Sequence, residues 1–315
     1  MDVPVAPSSQ STSQPSPPAS PSSPASASPA GERGPWRGVA IALAGATGNQ
    51  VGAGVGAQAF SAIGPAGVVA VRQLVAAAVL LPVARPPLRR MTWSQWWPVL
   101  LLALVFAAMN LALYTAVARV GLALAVTLEF LGPLAVALAA SRTRAHLLTA
   151  AVAAAGVYVL VLPGPSSDLV GIAIGLVAGA CWAAYIVLNR TAGARLPGLQ
   201  APAVASGLCA LGYLPVLVVL TAGGHWDGPT LVRALAAGLL SSVLPYAADL
   251  TALRTVPPRL FGVLSSTQPA LAAVVGLLLL GEDLALHEGV GIAVVSLANV
   301  AALTAGRAGR RAPER

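Results

Sequence analysis

Between Trp36 and Arg307 the chain is a near-continuous series of apolar runs, most of them without a charge, broken by short segments rich in Pro, Gly and Arg. The breaks read "ARPPLRR" at 84–90, "SRTR" at 141–144, "PGPSSD" at 163–168, "GGHWDGP" at 223–229 and "RTVPPR" at 254–259. Runs of about 20 apolar residues match the hydrocarbon thickness of a bilayer when helical. Backbone groups in hydrocarbon must bond within their own segment, so each run is predicted to be a helix. Membrane strands would alternate in polarity over shorter stretches, and these runs do not. The predicted spans are 38–60, 64–83, 96–117, 120–140, 146–163, 169–189, 202–222, 231–252, 259–280 and 286–306.

Composition supports the same solvent. Charged residues make up 9% of the chain and hydrophobic residues 57%, whereas a soluble domain carries about 25% charge. The net charge of +8 comes from scattered Arg with no Lys, which argues against a nucleic-acid surface. Cys181 and Cys209 each lie inside an apolar run and read as small buried hydrophobes rather than a disulfide or metal site. Residues 1–34 form a Pro/Ser/Ala-rich tract without a charged or apolar signal region, expected to be a disordered tail. Residues 307–315 form a basic tail expected on the cytoplasmic side.

Arginine positions orient the helices. With a cytoplasmic amino terminus and ten crossings, the Arg residues near 33–37, 85–90, 142–144, 190–195, 254–259 and 307–315 fall inside, and only Arg119 and Arg233 fall near the other face. Asp168, Asp227, Glu282, Asp283 and Glu288 fall outside. This follows the positive-inside rule and places both termini in the cytoplasm.

The chain also repeats itself. "GVAIAL" at 38–43 matches "GIAIGL" at 171–176, Pro82 matches Pro215, and Ala116–Val120–Pro133 matches Ala252–Val256–Pro269. The offset of about 135 residues divides the chain into two halves, 36–163 and 169–306. With five helices each, the second half is upside down relative to the first. That is the architecture of alternating-access transporters, with a site between the halves near the midplane.

Ionisable residues at bilayer depth are costly and mark function. Glu129, in "VTLEFLGPLAVAL" at 126–138, is a candidate for taking up and releasing a proton or for neutralising a substrate ammonium. Arg72, in "AVRQLV" at 70–75, is a candidate for gripping a carboxylate. The structural alternative pairs the two as ions. Asp249 is expected to reach the interface or pair with Arg254. Polar groups that could line a hydrated cavity are Thr47, Asn49, Gln50, Gln73, Asn110, Tyr114, Trp182, Tyr185, Tyr246 and Ser265 through Gln268. Pro133 and Pro269 are hinge candidates, since each removes a backbone donor within a helix. Gly171, Gly175 and Gly179 lie four apart, as a close helix contact requires. His146, His225 and His287 are far apart in sequence and near loops, and no metal motif, nucleophile elbow or phosphate loop occurs. No cofactor and no catalytic residue is expected.

The segments "LEFLGPLAVAL" at 128–138, "GACWAAYIVLNRTAGA" at 179–194, "LPYAADLTALRTVPPRLFGVL" at 244–264 and "QPALAAVVGLLLLGE" at 268–282 resemble the threonine/homoserine exporters of bacterial inner membranes, in the EamA branch of the drug/metabolite transporter superfamily. The resemblance covers residues 36–306. It implies an all-α membrane protein of ten transmembrane helices in two inverted five-helix EamA repeats, exporting amino acids or related metabolites with protons as the coupling partner. It puts Arg72, Glu129, Tyr185, Tyr246 and Gln268 in the matching motifs without fixing their roles. Alternatives are efflux of drugs or other metabolites, a membrane enzyme acting on lipid intermediates, and a non-transporting scaffold.

Overall fold

The computed structural model describes residues 34–139, 144–162, 168–252 and 256–305. The two tails lie outside these residues, as do Arg254 and the side chains of His146 and Asp249. Every regular element among the described residues is helical. Seven helical segments are long and apolar enough to cross a membrane: Phe60–Ala84, Trp93–Val120, Leu122–Ala139, Leu169–Gly193, Gly228–Ala248, Leu260–Leu280 and Leu286–Leu303. Gln200–Gly212 and Leu214–Ala222, bent by 41° at Tyr213, make an eighth if they act as one span.

In chain order the helices are α1 (Gly34–Ala57), α2 (Phe60–Ala84), α3 (Trp93–Val120), α4 (Leu122–Glu129), α5 (Leu131–Ala139), α6 (Arg144–Val161) and α7 (Leu169–Gly193). They continue as α8 (Gln200–Gly212), α9 (Leu214–Ala222), α10 (Gly228–Gly238), α11 (Leu244–Ala252), α12 (Pro258–Ser265), α13 (Gln268–Val275) and α14 (Leu286–Ala305). Wide π-helical turns at Leu239–Val243 and Gly276–Leu280 follow α10 and α13. Among the described residues, each of the ten predicted ranges is thus occupied mainly by helix. Two of them lack the apolarity or length of a full span. α1 carries Thr47, Asn49 and Gln50 among glycines, and only Leu147–Val161 of α6 is continuously apolar.

The helix starts outside the apolar stretches have identifiable caps. Thr92 and Gln95 form a reciprocal capping box at α3, and Asp168 and Asp227 accept from Gly171 N–H and Thr230 N–H at α7 and α10. Each satisfies a donor that the first helical turn leaves open. Outward faces are apolar and exposed, as at Leu104 and Leu278, which suits hydrocarbon as the solvent.

Small residues let the helices meet at backbone distance. On α1, side chains added at Gly45, Gly48 and Gly52 would run into Ala248, Leu244 and Ser241 of α11 and the turn before it. On α7, the expected glycine face packs on α4: a Cβ at Gly175 would touch Leu128, and one at Gly179 would sit 2.8 Å from the Leu128 carbonyl oxygen. A Cβ at Gly132 would collide with the Gly179 carbonyl. The segment carrying Glu129 is therefore clamped against α7.

The largest apolar cluster fills the end of the bundle where α1 finishes and α2 begins. Val68, Val69, Tyr114, Leu122, Val126, Ala237 and Val275 belong to it, all nearly inaccessible. The opposite end is organised around a polar cavity.

Candidate functional site

Two helix breaks position the site. Proline has no N–H to bond the carbonyl four residues earlier. Pro133 therefore leaves the Glu129 carbonyl without its helical donor, and Pro269 does the same for Ser265. The chain breaks at Phe130, between α4 and α5, and at Ser266–Thr267, between α12 and α13. Both hinge candidates thus sit just beyond a break. Glu129 and Ser265 each line the same cavity.

That cavity measures about 290 Å³ and is bounded by α1, α2, α3, α4, α7, α11, α12, α13 and the π turn after α10. Its lining runs from mid-helix toward the end where α1 starts: Ala42 to Asn49 on α1 and Phe261 to Gln268 on α12 and α13. Of the nine predicted substrate- or proton-site residues, eight line it: Asn49, Arg72, Asn110, Glu129, Trp182, Tyr185, Tyr246 and Gln268.

Tyr114 is the exception. It is buried one layer deeper, with the Arg72 guanidinium 4.7 Å above its ring. Phe60 packs edge-on against it at 5.8 Å. Thr47 is exposed, and Gln73 is buried away from the lining with its carbonyl oxygen unpartnered among the described residues. Ser266 and Thr267 turn their hydroxyls to the carbonyls of Gly262 and Leu264.

Arg72 is fixed on three sides. Its Nη1 donates to Asn110 Oδ1 at 3.2 Å and its Nη2 to the Ser241 carbonyl at 3.0 Å, while the Tyr114 face lies below. Asn110 is itself anchored, donating to the Phe106 carbonyl at 2.8 Å. The Nε of Arg72 is buried and without a hydrogen-bond partner among the described residues. Glu129 is 7% exposed, as is Arg72. The expected structural alternative, an Arg72–Glu129 ion pair, does not form: the ion pair found among the described residues joins Arg119 to Asp168 at 2.9 Å. One cavity thus presents a cation and a carboxyl, neither consumed by the other.

The rest of the wall is amide and aromatic. Asn49 and Gln50 both donate to Gln268 Oε1, at 3.0 and 2.8 Å, linking α1 to α13. The Tyr185 and Tyr246 hydroxyls hydrogen-bond each other, Tyr185 stacks at 5.5 Å on Phe106, and Trp182 meets Phe130 edge-on at 4.6 Å. Sequence reasoning missed Ser241 and Ser242, which line the cavity on the π turn. A serine pair in the apolar run "LLSSVLPY" at 239–246 was the available signal.

At the opposite end, polar contacts tie early helices to late ones. Arg119 at the end of α3 pairs with Asp168 before α7. The Gly171 N–H and the Arg119 side chain hold the Asp168 carboxyl below the ordinary carboxylate range. Glu282, in the turn before α14, accepts from Leu122 N–H at 2.7 Å and so caps α4 from across the bundle.

Comparison with known proteins adds a family to this geometry. The model of the EamA-like transporter family matches residues 169–304. The threonine/homoserine exporter RhtA of Salmonella typhimurium is 35% identical over 274 residues, covering 86% of this chain and 91% of that protein. The threonine/homoserine exporter RhtA of Escherichia coli K12 is 36% identical over 252 residues, covering 79% and 85%. A solved crystal structure, at 19% identity, superposes with a TM-score of 0.56 over 85% of this chain and 98% of that one, which shows a shared fold.

Proposed function

The chain belongs to the EamA-like transporter family, which makes it a multi-pass membrane transporter and not an enzyme, and from that premise we propose that it exports threonine- or homoserine-like amino acids across the inner membrane in exchange for protons. The observation that carries this reading is the coexistence of Arg72 and Glu129 in one small cavity without an ion pair between them. A zwitterion needs a donor fork for its carboxylate and a carboxylate for its ammonium, and these are the two groups on offer. A cavity of about 290 Å³ also lies at or below the lower end of the roughly 300–1,000 Å³ typical of drug-sized ligands, which favours a small metabolite over a bulky drug.

The transport cycle rests on ten crossings in two inverted repeats. α4 with α5, α8 with α9, α10 with α11, and α12 with α13 each form one broken crossing, and the remaining helices form one apiece. The packing supports the repeat. α3 packs on α7 as α10 and α11 pack on α1; α4 and α5 pack on α7 as α12 and α13 pack on α1; α3 packs on α8 as α10 packs on α2. α2 with α8, α6 with α14, and α4 with α13 are then self-paired. Exchanging the halves, 36–163 for 169–306, carries this pattern onto itself. The family match at 169–304 coincides with the second half.

With both termini in the cytoplasm, as the Arg distribution favours, the cavity faces inward and the apolar cluster seals the outer end. Release requires that seal to part and Glu129 to be neutralised by a proton from outside, which expels the substrate ammonium.

Purified protein in proteoliposomes with an imposed proton gradient tests the proposal. Threonine or homoserine moves against its own gradient, and Glu129→Gln, fixed in the neutral form that expels the ammonium, loses proton-driven export and counterflow exchange alike. Absence of amino-acid flux, with Glu129→Gln indistinguishable from wild type, discards substrate and mechanism together.

A further inference from the structure

The charged ends of an amino acid leave its side chain to be read, and the cavity holds a third polar station away from Arg72. Gln268 stands at the first position of α13, just past the second break, and lines the cavity with Asn49 of α1. Its Oε1 accepts from both Asn49 and Gln50. Two donors on one oxygen lock the amide plane. They leave the Gln268 Nε2 hydrogens and the Asn49 Oδ1 lone pairs with no partner in the hydrogen bonds of the described residues. The wall therefore presents one donor and one acceptor side by side. Turning all three amides together exchanges which residue donates and which accepts, but the cavity still meets one of each.

A donor–acceptor pair without charge fits a group that also donates and accepts. Among amino-acid side chains of a size for this cavity, the groups that do so without charge are the aliphatic hydroxyl and the carboxamide, and the hydroxyl is the one carried by the threonine- or homoserine-like substrates proposed above. A carboxylate would only accept and an ammonium would only donate, so each leaves half of the pair unmatched. An aliphatic side chain would strip both amides of water and return nothing, which is the costly case.

We propose that the Asn49–Gln268 amide pair is the specificity determinant of the cavity and selects amino acids bearing a side-chain hydroxyl over their apolar isosteres. This rests on the reading of the cavity as an amino-acid site. Gln50 serves as the positioning residue behind the pair, since it holds Gln268 without lining the cavity.

The test compares isosteric pairs in the same proteoliposomes: threonine against valine, and homoserine against 2-aminobutyrate. Wild type favours the hydroxylated member of each pair by roughly tenfold or more in kcat/KM. Gln268→Met, close in shape but unable to hydrogen-bond, brings the ratio toward one by improving the apolar substrate relative to the hydroxylated one. A purely structural link between α1 and α13 would lower both rates together and leave the ratio unchanged, which overturns the proposal. The wild-type ratio needs no variant, so a ratio near one with both substrates transported overturns it even if Gln268→Met does not fold. Transport of neither member of a pair is a different result: it removes the amino-acid reading itself, and this inference with it.

Discussion

Arg72 owes its geometry to groups of very different legibility. Asn110 and Tyr114 are side chains that stand out in an apolar sequence. The Ser241 carbonyl does not, because any residue has one. It is available because Pro245, four residues on, has no N–H to bond it, next to the π turn at Leu239–Val243. The Ser241 hydroxyl only bonds back to Ala237 of its own helix, so the side chain that looks functional in the sequence is not the group that holds the arginine. Glu129 and Arg72 were legible because charge at bilayer depth is conspicuous. Tyr114 was misjudged as lining because a tyrosine serves equally as a wall or as a shelf beneath a cation. The fixed fork makes a specific prediction. Arg72→Lys keeps the charge but cannot reach Asn110, the Ser241 carbonyl and a substrate together. It raises KM for the amino acid by about tenfold or more, with folded yield unchanged, as measured by initial rates in proteoliposomes.

At the scale of elements, the two prolines mark the breaks without locating them. Each acts on the carbonyl four residues upstream, so the helix yields at Phe130 and Ser266 rather than at Pro133 and Pro269. The spans themselves were readable from run length, since hydrocarbon imposes a length that loops do not. The bend at Tyr213 follows the same rule, since Pro215 leaves the Leu211 carbonyl without its helical donor, but it was not anticipated. The glycine face of α7 was anticipated as a packing surface, but not its partner. It presses on Leu128 and Glu129, which makes α7 the element that fixes the depth of the carboxyl. Gly179→Leu would drive a side chain into the Leu128 carbonyl. Backbone cannot step aside as a side chain can, so the cost exceeds the roughly 1–3 kcal/mol of ordinary overpacking. The expected outcome is a lower melting temperature in detergent and loss of transport, whereas Gly193→Ala, at a position with open space around it, leaves both near wild type.

For the whole molecule, the cavity is seated at one end and the apolar seal at the other, and Glu282 fastens the sealed end. Its carboxylate reaches from one half of the chain to the first amide of α4 in the other. Burial, with help from the Glu288 carboxylate of α14, pushes the Glu282 carboxyl above the ordinary carboxylate range, against the pull of the Leu122 and Ala123 amides. Asp283 and Glu288 line the recess beside it, and α4 contributes Ala123 and Leu124. When the sealed end opens, Glu282 meets water and returns to an ordinary affinity for protons. The closed state therefore binds the proton more tightly, and by linkage acid on that side favours closure. Two opposed dependences on external acidity follow on the proposed orientation. Under the proposed proton coupling, protons outside supply the driving force and at the same time hold the exit shut, so export velocity rises and then falls as the outside is acidified. Glu282→Gln removes the falling limb. An energised cell in strongly acid surroundings would thus throttle its own losses, a self-limiting leak set by one carboxyl group that never touches the cargo.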